Sequence, residues 1–439
     1  MRILPTPNDA VKRDRVLMDA LPGCYLGEAK RGSLTGGRTA ALARLRDYDV
    51  TNYGRSRNHI DAPVSRLSPY LRHGMLSIVE VRDHLRNKYA TEPQRAEEFL
   101  RQLAWRDFFE KVLDWYGDAL DDDLEEPKHA SQRQDRIPLD IVEGRTGLPC
   151  VDGMLRELFT DGYLHNHERL WFAAYLCHFR GIDWKRGARL FRQYLYDGDI
   201  ASNSSSWQWV ESTFASKPYF MNKQNIATFS DNRWCDDCRV KCPFDAPYET
   251  LQHRLFGGNR APLAGNIADA LPQNIAPIPP DEPYAGTKYE RIVWLHDAAL
   301  SVDNPALVSN PNAAVLFAFD APALRTEPWA FHRLAFLFDG VHDLFNKANN
   351  PDKITVATDA VTAIETVAAS GAEIHVTDHP NPTVRKTVQA LKSRFRVIVY
   401  PRSVIAEYAE EPRRFSRYWE KAAIQVLGYR PKKADKWHK

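Results

Sequence analysis

The chain has 439 residues, 44% of them hydrophobic, and a formal net charge of +2. That supplies apolar side chains for more than one core, so two domains are expected, and a balance this near neutral names no partner by itself. No run of eighteen apolar residues occurs, and Arg2, Lys12, Arg13 and Arg15 break up the first twenty positions, which argues against a secretory or membrane-spanning segment and for the cytoplasm.

In chain order, the first strong pattern is EEFLRQLAWRDFFEKVLDWYG, where Phe99, Leu103, Trp105, Phe108, Phe109, Val112 and Leu113 recur at helical intervals. RLWFAAYLCHF and GARLFRQYLYDG behave alike, so residues 91–260 are predicted to be packed helices. The last of these runs into DGDIASNSSSWQW, residues 197–209, where two carboxylates, an amide and two indoles crowd together. Read plainly, an aspartate caps the next helix, Asn203 is a turn residue, and Trp207 and Trp209 belong to the core. Read as a binding wall, Asp197 and Asp199 accept from ligand N–H groups, Asn203 donates and accepts, and an indole is placed to give an electron to an excited ring.

Six cysteines, Cys24, Cys150, Cys177, Cys235, Cys238 and Cys242, in a large chain without an export signal do not read as a disulfide scaffold. RWCDDCRVKCPFD spaces Cys235, Cys238 and Cys242 as C-x2-C-x3-C, able to offer three thiolates to one metal centre, with Cys150 the best fourth ligand. Cys177 competes for that place, although WFAAYLCHF looks like a buried helix face. Spacing leaves three outcomes open: an iron–sulfur cluster, zinc, or no metal.

Beyond Leu271 the proline-rich stretch PQNIAPIPPDEPYAG reads as a linker, set at 272–288. RIVWLHD, AAVLFAFD, KITVAT, AEIHVTD and RVIVYP follow as short apolar runs separated by helical or turn segments. They predict an α/β domain with a largely parallel sheet over 289–400. No GxGxxG follows a strand and no phosphate-binding GxxxxGK run occurs. Residues 401–439 are predicted to be a basic helical tail. From 411 onward it holds nine Lys or Arg against three Asp or Glu, either to hold a polyanion or as a solvated terminal helix.

Five motifs in one order then carry a resemblance. They are SRLSPYLRHGMLS at 65–77, RQLAWRDFF at 101–109, EGRTGLPCVDGMLRELFTDGYLHNHERL at 143–170, GIDWKRGARLFRQYLYDGDIASNSSSWQW at 181–209 and SKPYF at 216–220. Over about residues 40–260 the chain resembles the flavin-binding half of the photolyase and cryptochrome family. The resemblance implies FAD folded in a helical bowl within residues 1–271. Carried over by position, it puts Tyr53, Ser65, Leu67 and Ser68 at the phosphates and ribityl chain, and Trp105 and Arg106 in the pocket wall. Asn166, Arg169, Asp197 and Asp199 face the flavin, with Asn203 near its N5 atom. Trp207 and Trp184 match the first two members of the family's electron relay. The third falls in HASQRQDRIPLD, which has no tryptophan, so the relay would end on a tyrosine or another indole.

VWLHDAALSVDNPAL at 293–307 is similar to the family's first strand and the turn after it, yet it follows the helical half. The chain therefore resembles a circularly permuted member, an all-helical FAD-binding domain followed by a Rossmann-like, antenna-type α/β domain. His296, Asp297 and Ala298 replace the charged residues usual after that strand, so no antenna chromophore is assigned. One branch of the family carries a 4Fe–4S cluster on a lone cysteine, a CxxC and a CPF, with a longer final spacing than here. That likeness implies a 4Fe–4S cluster on Cys150, Cys235, Cys238 and Cys242, with zinc as the alternative.

The implied activity is light-dependent repair of UV pyrimidine photoproducts in damaged DNA, a deoxyribodipyrimidine photolyase-type lyase. Excited reduced FAD lends an electron to a lesion turned out of the stack. Gln102 stands where cyclobutane-dimer enzymes commonly have glutamate, Leu170 where they have methionine, and Ser204 replaces a second asparagine. His165 and His167 flank Asn166, and a histidine in the cavity would be the general acid that (6-4) repair needs, which slightly prefers the (6-4) lesion. The alternative is a cryptochrome-like blue-light or redox sensor acting through a protein partner without repair. No membrane partner is expected.

Overall fold

A computed structural model describes residues 1–129, 133–257 and 283–431. Most of the expected linker at 272–288, the end of the expected tail at 432–439, and Ala130, Ser131 and Gln132 of the third relay segment lie outside the described residues.

The first half is helical, as its periodicity predicts. Helix α1 (Gln94–Tyr116) buries Phe99, Leu100, Leu103, Phe108, Val112 and Leu113 along one side. It is followed by α2 (Pro149–Asp161), α3 (Asn166–Ala174), α4 (Trp184–Tyr194) and α5 (Ile200–Glu211). Each of the last three starts on a side-chain cap: His165 on the His167 N–H, Asp183 on that of Lys185, and Asp199 on that of Ser202. Helix α3 runs on into a π-helical turn, Tyr175–Phe179, that is wholly buried.

The second half is a five-stranded parallel sheet. Strands β1 (Tyr289–Leu295), β2 (Ala314–Ala318), β3 (Lys353–Val356), β4 (Ala368–Thr377) and β5 (Arg396–Tyr400) lie in the order β3-β2-β1-β4-β5. The apolar runs of β1 to β4 are buried, as parallel strands covered by helices require, while the edge strand β5 is only half-buried and leaves Val399 exposed. A long helix, α6 (Phe331–Lys347), lies between β2 and β3 and is buried over most of its length, Arg333 and Asp339 included.

The two halves share one apolar cluster that reaches from Leu103 and Phe108 to Val293, Leu295, Phe331 and Phe338. Charges at the seam are paired: Arg13 meets Asp339 at 2.8 Å, Arg31 meets Asp339 at 2.7 Å, and Arg72 meets Asp297 at 2.7 Å. Two short strands, Tyr25–Leu26 and Trp329–Ala330, pair in parallel across it. The Met1 end also crosses the seam. Leu4 donates to Thr355 O at 2.7 Å, and Ile3 bridges Val356 beside the edge strand β3.

The last helix, α7 (Phe415–Leu427), is not a solvated tail. It buries Phe415, Tyr418, Ala422 and Val426 and lies on α1, where the Tyr418 hydroxyl donates to Asp107 at 2.6 Å. No described helix is long and apolar enough to cross a membrane.

Candidate functional site

The stretch that joins α4 to α5 is built by its glycine and its charges. A Cβ on Gly198 would stand 2.8 Å from Arg192 Cα, so only glycine lets the chain turn there between the two aspartates. Asp199 then caps α5 at the Ser202 N–H, 2.6 Å away, and takes the Ser202 hydroxyl at 2.8 Å, while Arg106 from α1 stands 3.4 Å off. The capping reading and the binding-wall reading of Asp199 are thus compatible in one side chain. Asp197 is clamped by Arg169, with both Nη atoms 3.0 Å from its oxygens, and Arg169 is itself steadied by Leu164 O at 3.0 Å. Burial works to raise Asp197, but the Arg169 guanidinium, the Ser68 hydroxyl and Arg106 outweigh it and hold the carboxyl below its ordinary range.

Other sequence-predicted residues gather round these pairs to differing degrees. Leu67 is buried, Tyr53 packs edge-on against Phe99 at 5.0 Å, and Ser65 Oγ accepts the Leu67 N–H at 3.4 Å. Asn203 is buried and donates to Ala188 O at 2.8 Å. Asn166 is exposed at the start of α3. Ser204, also buried, donates to Asp121 at 3.4 Å.

A cavity of about 540 Å³ opens beside the N-terminus of α3, lined by Arg44, Arg66, Arg233, Tyr163, His165 and Glu168 among others. Of the two expected histidines only His165 lines it. His165 caps α3, its Nδ1 accepting the His167 N–H at 3.2 Å, and burial, then His167 and Arg169, pushes it down to about 4. His167 is a packing residue instead, with Nδ1 2.8 Å from Asn58 O and its ring between Trp171 and Phe229, 4.8 and 4.7 Å away. Glu168 is a residue the sequence reading missed. Its Oε2 takes the His165 N–H at 2.8 Å while Oε1 has no hydrogen-bond partner, and burial, reinforced by Glu157, raises it to about 8. The signal was present as a capping box with histidine in place of the usual hydroxyl residue.

On α1, Gln102 donates to Glu98 at 2.9 Å, and Trp105 lies flat against Phe415 of α7, with ring centroids 3.8 Å apart and planes 9° off parallel. The two relay candidates are buried. Trp207 is 2% exposed, meets Phe191 edge-on at 5.1 Å, and rests on α4 so closely that a Cβ on Gly187 would come within 2.1 Å of its ring. One helical turn before Gly187 stands Trp184, 1% exposed, whose Nε1–H donates to Asp123 at 2.7 Å.

The expected cysteine centre is corrected. Among the described residues the one group of three or more metal-ligating side chains whose donor atoms converge is His129, His178 and Glu211, within 4.8 Å of one another. No three of Cys150, Cys235, Cys238 and Cys242 converge in that way, and all six cysteines are unbridged. Neither the 4Fe–4S cluster nor zinc on these thiols stands. Cys150 sits in the first turn of α2, packed in an apolar cluster that Cys235 and Cys242 also border, so these thiols act as small apolar side chains. Burial, then Cys242 and Cys235, pushes the Cys150 thiol up to about 12. The close C-x2-C-x3-C spacing sets the order of the thiols along a loop but does not aim them at a common point.

Residues 99–237 match the family described as the FAD binding domain of DNA photolyase. A Deoxyribodipyrimidine photo-lyase of Streptomyces griseus is 41% identical over 150 residues, 34% of this chain and 32% of that protein. A Cryptochrome DASH of Synechocystis is 31% identical over 224 residues, 48% and 45% of the two chains. Among solved structures, a bacterial class III photolyase from Agrobacterium tumefaciens has 25% identity and a TM-score of 0.42, covering 57% of this chain and 53% of its own. The matches thus span between about a third and a half of these relatives' lengths. The family match and the two sequence relatives make the helical half similar to the FAD-binding part of photolyases and cryptochromes.

Proposed function

We propose that the chain is a light-dependent flavoprotein that repairs UV pyrimidine photoproducts in DNA, a photolyase-type lyase. The observation that carries this reading is the pair of charge clamps inside the matched segment, Arg169 on Asp197 and Arg106 on Asp199, at the head of the helix that bears Trp207. The residues fit FAD. The buried carboxylates of Asp197 and Asp199 and the buried amide of Asn203 stand around the start of α5, acceptors and a donor of the kind the edge of a flavin ring requires. In this reading 1–271 forms the flavin half and 289–400 the α/β half, in permuted order.

The bound flavin would supply the photochemistry. The protein's share is to hold it. Ser65, Leu67, Ser68 and Tyr53 take its phosphate and ribityl part, and Trp105 and Arg106 wall it. Asn166, Arg169, Asp197, Asp199 and Asn203 meet its ring edge. Arg44 at the cavity would offer charge to DNA phosphates without reading sequence, whereas Arg66 and Arg233 there are paired with Asp161 and Asp61 and would have to exchange those partners. Within repair the (6-4) lesion is the one to test first, because it needs a proton donor and Glu168, raised by burial to about 8, lines the cavity beside His165. A second reading, a light or redox sensor without repair, is favoured by the Phe415 ring that covers Trp105 and by Gln102 turning to Glu98 rather than outward.

The deciding experiment illuminates FAD-loaded, reduced protein with oligonucleotides bearing a cyclobutane dimer or a (6-4) product and measures lesion loss against dark controls. Loss of either lesion supports repair. Retention of both, with flavin bound and reduced, overturns it in favour of the sensor.

A further inference from the structure

We propose that Asp123 is the proton acceptor for Trp184 when that indole is oxidised. The inference rests on reading Trp207 and Trp184 as an electron relay to a flavin and goes one step beyond it.

Trp184 is 1% exposed, so a positive charge left on its ring has no water to stabilise it. Its Nε1–H has one acceptor, Asp123 Oδ1, at 2.7 Å. The Asp123 side chain is 30% exposed, so one carboxylate touches the buried indole and reaches solvent. The groups that face Asp123 on its other side are positively charged. Arg133 from the segment before α2 donates to the other oxygen, and Lys185 on α4 adds positive charge nearby. Arg133 also holds the buried Glu211 at 3.2 Å, which fixes its position.

The step balances as follows. With a photoexcited oxidised flavin as the oxidant, Trp207 gives up an electron and recovers it from Trp184. An indole radical cation is a far stronger N–H acid than neutral indole, so the Nε1–H bond breaks and its proton joins Asp123 Oδ1, leaving a neutral indolyl radical and a carboxylic acid. Asp123 then releases the proton to water on its exposed side. An external thiol returns one electron, and water one proton, to restore Trp184. With no tryptophan in the HASQRQDRIPLD segment, charge is not passed outward to a third indole there, and loss of this proton is what stops the electron from returning to Trp184.

Two measurements on the full chain test this. In flavin-free protein labelled at the indole nitrogens, the Trp184 Nε1–H resonance, assigned by its loss in Trp184→Phe, should move on Asp123→Asn. An unmoved resonance overturns the hydrogen bond and the proposal with it. In FAD-loaded protein, flash absorption separates the cationic from the neutral tryptophan radical. The wild type should form the neutral radical with a solvent deuterium effect. Asp123→Asn should slow that step by about a hundredfold, and Asp123→Glu should restore most of it. Equal deprotonation in wild type and Asp123→Asn overturns the role of Asp123 while leaving the relay standing. No tryptophan radical in illuminated wild type overturns the relay reading as well.

Discussion

The α1 wall and the α4–α5 wall of the helical half use the same residue type in opposite ways. On α1, Trp105 offers a flat face, and the chain's own Phe415 lies on it. On α4 and α5, Trp184 and Trp207 are both buried, Trp207 edge-on to Phe191, and the polar atom of Trp184 is carried by Asp123. An indole that recognises a base needs a free face, whereas an indole that passes an electron needs a dry ring and a place for its proton. The first wall is the one that must open for repair. In the relay proposed above, the second wall supplies the dry rings and the acceptor.

The largest effect expected from disturbing this contrast is at the clamp beneath the second wall. Arg169→Ala leaves Asp197 buried and unpaired and should cost about 3–5 kcal/mol in urea denaturation. Because the Asp197 carboxyl is held below its ordinary range in the fold, its contribution is present above about pH 3.9 and is lost as pH falls through the lower folded value. Asp197→Asn should therefore flatten the acid limb of the stability curve, and an unchanged limb would refute the assignment.

Phe415→Ala attacks the first wall. It removes a ring only 8% exposed and should cost about 3 kcal/mol, with Trp105 fluorescence becoming open to acrylamide quenching. If quenching does not change, Phe415 is not what covers that face in solution. Gly187→Ala presses on the second wall, where the new methyl meets the rigid Trp207 ring, and should cost about 1–3 kcal/mol with a shift in tryptophan emission. Gln102→Ala is the mildest, a lost (i, i+4) bond worth at most about 0.5 kcal/mol. A lesion-turnover loss far beyond that stability change would mark Gln102 as a base contact, and none would leave it a helix-surface residue.

Much of the second wall was legible in sequence because its parts are local. Asp199 caps the helix that follows it, Gly198 marks the turn, and Trp184 and Gly187 are one helical turn apart. The α1 wall was not legible in the same way. Helical spacing shows that Trp105 points with Phe108, but nothing in RQLAWRDFF says that a segment from the far end of the chain lands on it. The cysteines failed for a related reason: C-x2-C-x3-C gives order along a loop, while a metal centre needs convergence in space. His165 and His167 looked equivalent as letters and part ways only because one caps a helix beside a cavity and the other packs, tilted, against two rings. The sheet was legible from its five apolar runs, although its order depended on contacts that no single run encodes.

Ile3 and Leu4 lie along Val356 and Thr355 on the outer side of β3, the rim of the sheet. A parallel sheet normally ends in a row of unsatisfied amides to which any stray extended segment can add. Here a short piece of the same polypeptide occupies part of that row, antiparallel to the strands it guards. Cutting it back should leave the α/β half sticky rather than unfolded, with self-association that rises with concentration.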